Sequence, residues 1–251
     1  MKTKNGFTLA EVLITLGIIG IVAAMTIPTL MANNQKAQYV TALKKAYTQF
    51  NQVLVQIATD KGCVGDLRCT GLFEASTTNR SLGDELVKYF KVVKNCETTA
   101  GGGPSITGCL SRISDNYDGS SARGDGDSTS YYRFITADGT GFLISNMQNN
   151  CTLNYSTNKT YNTTQVCGAI NVDVNGRKGP NNKGMDVFVF YITNGKGPML
   201  YPTGGVDDGC TSSWCGYWQD SSGNPRTCYP GNKLGETCAG RIIEEGWEMN
   251  Y

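Results

Sequence analysis

Residues 7–27, FTLAEVLITLGIIGIVAAMTI, form an apolar run of 21 positions with a single ionisable side chain, Glu11. As a helix the run spans about 32 Å at roughly 1.5 Å per residue, the thickness of a bilayer's hydrocarbon core. Beyond Pro28 the all-round hydrophobicity gives way to a stripe. Tyr39, Leu43, Ala46, Phe50, Val53 and Ile57 recur at helical spacing, widened by Tyr47 and Leu54. Lys36, Gln38, Lys45, Gln49 and Gln52 take the opposite face. The pattern predicts one long helix, kinked at Pro28 because proline has no N–H to donate, and stopped at Lys61-Gly62.

After residue 60 the period shortens. Residues 81–93 predict a short helix, with Ser81 as its cap, Asp84 and Glu85 in its first turn, and Leu82, Leu86, Tyr89, Phe90 and Val93 inward. Residues 131–136 and 140–145 flank Asp138-Gly139 and read as a hairpin. Residues 166–174 and 186–193 are the next strands, while residues 101–103, 114–130 and 203–240 read as loop and turn. The expected fold class is α+β: a long N-terminal helix, half apolar and half amphipathic, packed on an antiparallel sheet.

Composition narrows the chemistry. The 251 residues carry Lys+Arg 22 against Asp+Glu 21, with a net charge of +1 and no His. The absence of His excludes Ser-His-Asp and Cys-His catalysis and His-bearing zinc sites. Near-neutral charge gives no bulk attraction to nucleic acid. Charged residues at 17%, where about 25% is usual, suit an extracellular, turn-rich fold. No GxxxxGK[ST], GxSxG or GxGxxG is present, so the chain is not expected to be an enzyme.

Gly6-Phe7-Thr8-Leu9-Ala10-Glu11, followed by the unbroken apolar stretch and Pro28, resembles the cleavage and methylation signature of type IV prepilins and type II secretion pseudopilins. The resemblance covers residues 2–57 closely and the rest loosely. It implies a leader of residues 1–6, a polymerisation helix over 7–60 and a pilin-like, disulfide-bonded head over 61–251. It also implies cleavage between Gly6 and Phe7 by a prepilin peptidase on the cytoplasmic side, then N-methylation of Phe7. Glu11 would pair with the N-terminal amine of a neighbouring subunit, gaining on the order of 4 kcal/mol at about 4 Å before desolvation is subtracted. Implied partners are copies of itself or sister pilins and an inner-membrane assembly platform. Lys2 and Lys4 would stay cytoplasmic, leaving a single-pass inner-membrane protein with its head outside, then a periplasmic or cell-surface filament. A secretory signal peptide cut near Ala24 fits less well, because the run is too long, carries Glu11 and leads straight into more helix. A rival reading is a membrane-anchored surface-binding module for glycan, DNA or a cell surface.

Ten cysteines all lie past the helix. An even count outside the membrane reads as disulfides, and zinc is disfavoured because no CxxC pair exists. Short spacings suggest the pairs Cys63–Cys69, Cys96–Cys109, Cys151–Cys167, Cys210–Cys215 and Cys228–Cys238, with other pairings of the last four left open.

Between the third and fourth predicted strands, Asp173, Asn175, Asn181 and Asp186 offer oxygens suited to calcium, which some pseudopilins bind in the similar region. Arg177, Lys178 and Lys183 oppose a divalent cation, and the EF-hand pattern is absent. The favoured reading is an Asx/Gly turn joining two strands, with calcium the alternative and no other cofactor expected. Arg123-Gly124-Asp125, the sequons at Asn154, Asn158 and Asn162, and the Trp214/Tyr217/Trp218 aromatics carry little weight on sequence alone.

Overall fold

The computed structural model describes residues 8–98, 110, 113–116, 118–120, 122–123, 131–154, 164–203, 228 and 234–251. Its first element is the predicted helix, α1 (Leu9–Asp60), which runs through Pro28 without a break. The missing proline N–H removes one bond, to the Ala24 carbonyl. By compactness the chain divides into residues 1–38 and 39–251, so the outer part of α1 belongs to the head.

In the head, the predicted stripe is the core. Leu43, Phe50, Leu54 and Ile57 are at most 1% exposed, and Tyr39, Ala46 and Val53 are buried beside them. Phe50 meets Phe90 and Phe142 at ring-centroid distances of 5.6 and 5.7 Å, and Phe134 closes the group. Asn51 accepts from the Leu200 N–H at 2.6 Å, fixing the helix to the sheet by a polar bond as well. The helix ends as its sequence requires. Gly62, at φ 71°, lets the Cys63 N–H reach back to the Ala58 carbonyl at 2.7 Å and its own N–H to that of Thr59 at 2.9 Å.

The sheet has six antiparallel strands in the order β1-β4-β5-β6-β7-β8. They are β1 (Val92–Glu97), β4 (Tyr132–Thr136), β5 (Gly141–Asn146), β6 (Val166–Asp173), β7 (Val187–Thr193) and β8 (Met199–Pro202). A separate pair, β2 (Ile113–Ser114) and β3 (Ala122–Arg123), falls between β1 and β4. Alternation sends Phe134, Phe142, Ile144, Ile170, Val172, Phe188 and Phe190 towards the helix core. On the other face Arg133, Leu143, Asn171 and Val189 stand in register across four strands, all buried. Leu143 and Val187 there join Leu110 and Ile113 in a second, smaller core.

Three expectations need correction. The helix read over 81–93 is α2 (Asn79–Leu86); Thr78, not Ser81, is its cap, accepting from the Ser81 N–H at 3.1 Å. Val87–Tyr89 continue it as a 3-10 turn, and its expected end enters β1, where β-branched Val92 pairs with Thr136 rather than extend the helix. The stretch 203–240, read as loop and turn, ends inside a short helix, α3 (Cys238–Glu244), with Ala239 and Ile242 buried one turn apart, and residues 199–202, given no element from sequence, are β8.

Three predicted disulfides form: Cys63–Cys69, Cys151–Cys167 and Cys228–Cys238. Cys96 is also disulfide-bonded. Cys109, Cys210 and Cys215 lie outside the described residues, as do Gly6, Phe7, the Asn158 and Asn162 sequons and the Trp214/Tyr217/Trp218 aromatics.

Candidate functional site

From Leu9 to Met31 the large apolar side chains of α1 are exposed on every side of the helix. Consecutive exposed residues such as Val12, Leu13 and Ile14 leave it no polar face. This is the one helix among the described residues long and apolar enough to cross a membrane, and none of its apolar window is buried. Such a helix hides its surface in lipid or against other helices. Two of its hydroxyls are internally satisfied: Thr15 donates to the Glu11 carbonyl at 2.9 Å and Thr26 to that of Val22 at 3.0 Å.

Glu11 lies at the start of this helix, and its position has a local cause. Thr8 caps α1. The Thr8 N–H and hydroxyl both donate to Glu11 Oε2 at 2.8 Å, while the Glu11 N–H donates to Thr8 Oγ1 at 3.2 Å. This reciprocal arrangement is a capping box. The T-x-x-E spacing of Thr8-Leu9-Ala10-Glu11 spells it out, so Thr8 was legible as a functional partner of Glu11 and was missed. The capping box holds the carboxylate against the first turn of the helix.

A second constellation occupies the β6–β7 connection, residues 174–186. Asp173 and Asp186 are both fully buried. Asp186 Oδ1 accepts from the Asn182 N–H at 2.8 Å; its Oδ2 accepts from the Asn181 N–H at 2.8 Å and Asn175 Nδ2 at 3.1 Å. Asp173 Oδ1 accepts from the Asn175 N–H at 3.3 Å. Burial, and then the charge of Asp186, push the Asp173 carboxyl well above the usual range. Burial also raises Asp186, against the backbone donors that stabilise its ionised form.

Asp173 makes the contact of an Asx turn, to the N–H two residues on, while Asp186 pairs with backbone N–H groups earlier in the loop, as the turn reading expects. The contacts also weaken the charge objection to a cation. Lys183 is turned away into a bond with Asp115, and Arg177 and Lys178 are exposed. Asp173 Oδ2 and Asn175 Oδ1 are buried with no hydrogen-bond donor. Burial favours the neutral forms of both carboxyls, and among the described residues no group of three or more His, Cys, Asp or Glu comes together to hold a metal.

Comparison with known proteins gives one match: a family model described as the prokaryotic N-terminal methylation motif covers residues 1–27. No curated protein matches the chain, and no solved structure does. The matched segment includes Gly6, Phe7 and Glu11 and runs into the exposed apolar helix, so motif and structure together fit a membrane-anchored precursor. This chain thus carries a prokaryotic N-terminal methylation motif, of the kind expected of type IV pilin and pseudopilin precursors, ahead of a disulfide-bonded α+β head.

Proposed function

We propose that the chain is a structural subunit that a prepilin peptidase trims between Gly6 and Phe7 and that then polymerises through its N-terminal helix. Support comes chiefly from one observation: an apolar helix without a covered face, bearing one carboxylate and starting within the methylation motif. Helices of neighbouring copies or sister pilins bury that surface. Glu11 takes the methylated Phe7 amine of the neighbour and so sets the axial register, and an inner-membrane platform drives the addition of subunits. Before assembly the subunit is an inner-membrane protein with its head outside the cytoplasm; afterwards it is part of a periplasmic or surface filament.

The experiment pairs mass spectrometry with two substitutions. The mature N-terminus should read methyl-Phe7; a start near Met25 defeats the proposal. Glu11→Ala removes charge and capping box together, whereas Glu11→Gln keeps the capping geometry and loses only the charge. Both should be processed yet fail to give filaments. Normal filaments from Glu11→Gln would show that capping, not the acid–amine pair, is what assembly needs.

A second reading concerns the β6–β7 loop. Asp173, Asn175 and Asp186 are proposed to hold calcium, which would supply the positive charge the buried carboxyls lack. The buried oxygens without donors favour it.

A further inference from the structure

Three segments distant in sequence meet around the ammonium of Lys183. Its Nζ lies 2.7 Å from Asp115 Oδ1 and 3.1 Å from Glu236 Oε1. All three residues are buried, with exposures of 1% for Lys183, 6% for Asp115 and 7% for Glu236. Backbone hydrogen bonds lock the segments together. The Ser114 N–H donates to the Asn181 carbonyl at 2.9 Å, the Lys183 N–H to that of Ser114 at 2.8 Å, and the Gly235 N–H to that of Asp115 at 3.0 Å. Gly235 lies so close that a Cβ there would fall 1.7 Å from the Lys183 carbonyl oxygen. The Cys228–Cys238 disulfide closes the loop that carries Glu236.

We propose that Lys183 and Asp115 join in an intramolecular amide bond, with Glu236 carrying the proton. Among the described residues two carboxylates face this ammonium. The step requires one proton to move from Nζ to Asp115 along their hydrogen bond, which turns the ion pair into a neutral amine and a neutral acid. The Nζ lone pair then attacks Asp115 Cγ. The Glu236 carboxylate accepts a proton from the nitrogen and delivers it to the departing hydroxyl. A C–N bond forms, a C–O bond breaks and one water leaves, so no oxidant, nucleotide or metal enters the balance. The locked backbone holds amine and carboxyl in contact, which removes most of the entropic barrier to the step.

The bond would tie the β2 segment to the β6–β7 loop across 68 residues, with a covalent strut where a folded head otherwise relies on an ion pair. It does not depend on the filament reading.

The test is the intact mass of the full chain, purified in detergent with its disulfides reduced. The expected mass is lower by one water than the processed sequence gives. Proteolysis should yield a branched peptide joining the Asp115 and Lys183 segments, with trypsin unable to cut after Lys183. Glu236→Gln and Lys183→Arg should each restore the full mass. The wild-type result decides even where a variant fails to fold. A wild-type mass equal to the full sequence overturns the proposal. So does a water loss that maps instead to an Asp-Gly cyclisation, such as at Asp138-Gly139.

Discussion

Asp173→Asn probes the buried carboxyl pair most directly. With calcium chelated, the raised pKa means that the folded state keeps a proton which the unfolded state releases above about pH 4. The unfolded chain therefore binds fewer protons than the folded one as pH rises, and stability falls until the folded-state pKa is passed. Within that window one such proton costs up to about 1.4 kcal/mol per pH unit. For a head of this size that is a melting shift of roughly 3–6 °C per pH unit. Asn cannot ionise, so the variant should lose this slope, keep the weaker one belonging to Asp186, and outlast wild type at neutral pH. Calcium should reverse the order. At a hundredfold excess over its Kd, the ion adds about 2.7 kcal/mol to wild type and much less to the variant, which lacks a ligand charge. The assay is thermal melting by near-ultraviolet circular dichroism of the detergent-solubilised full chain, from pH 4 to 8, in chelator and in calcium. Identical pH slopes in chelator would refute the burial reasoning. A wild-type melting point indifferent to calcium would refute the cation reading.

Two further perturbations probe the packing. Phe50→Ala empties the centre of the Phe90, Phe134 and Phe142 group and should cost about 3–5 kcal/mol in denaturant unfolding; a loss under 1 kcal/mol would mean that the helix is not seated as described. Gly235→Ala puts a methyl group against the Lys183 carbonyl and should separate the Asp115, Lys183 and Glu236 segments. Lower folded yield, and loss of any amide cross-link, are the readouts; a variant as stable and as cross-linked as wild type would contradict that close approach.

The parts of this protein legible in its sequence are those governed by local period. The all-round apolar run, the stripe from Tyr39 to Ile57 and the Gly62 stop follow from helix geometry, and the stripe is the buried core that periodicity foretold. The Asp138-Gly139 hairpin and the β6 and β7 strands are likewise local signals, in turn chemistry and β-branched runs. The T-x-x-E box at Thr8 was equally local and went unread. Short-range cysteine spacing identified three pairs because neighbours in a turn-rich chain seldom have a nearer thiol.

Other features depend on partners far along the chain. Val92 and Val93 suit helix or strand nearly as well, and the edge of β4 decides between them. The four residues of β8 and the seven of α3 are too short to show a period, and take their form from β7 and from burial of Ala239 and Ile242. From sequence Lys183 is one of three cations that oppose a divalent ion in the β6–β7 loop. Only the meeting of residues 115, 183 and 236 shows it to be a buried amine facing two carboxyls. Sequence alone thus determined the rod and its motif, because a helix face and a processing signal are properties of consecutive residues. Tertiary structure decided which charged groups left water and which of them met, because burial and contact are set by the whole chain at once.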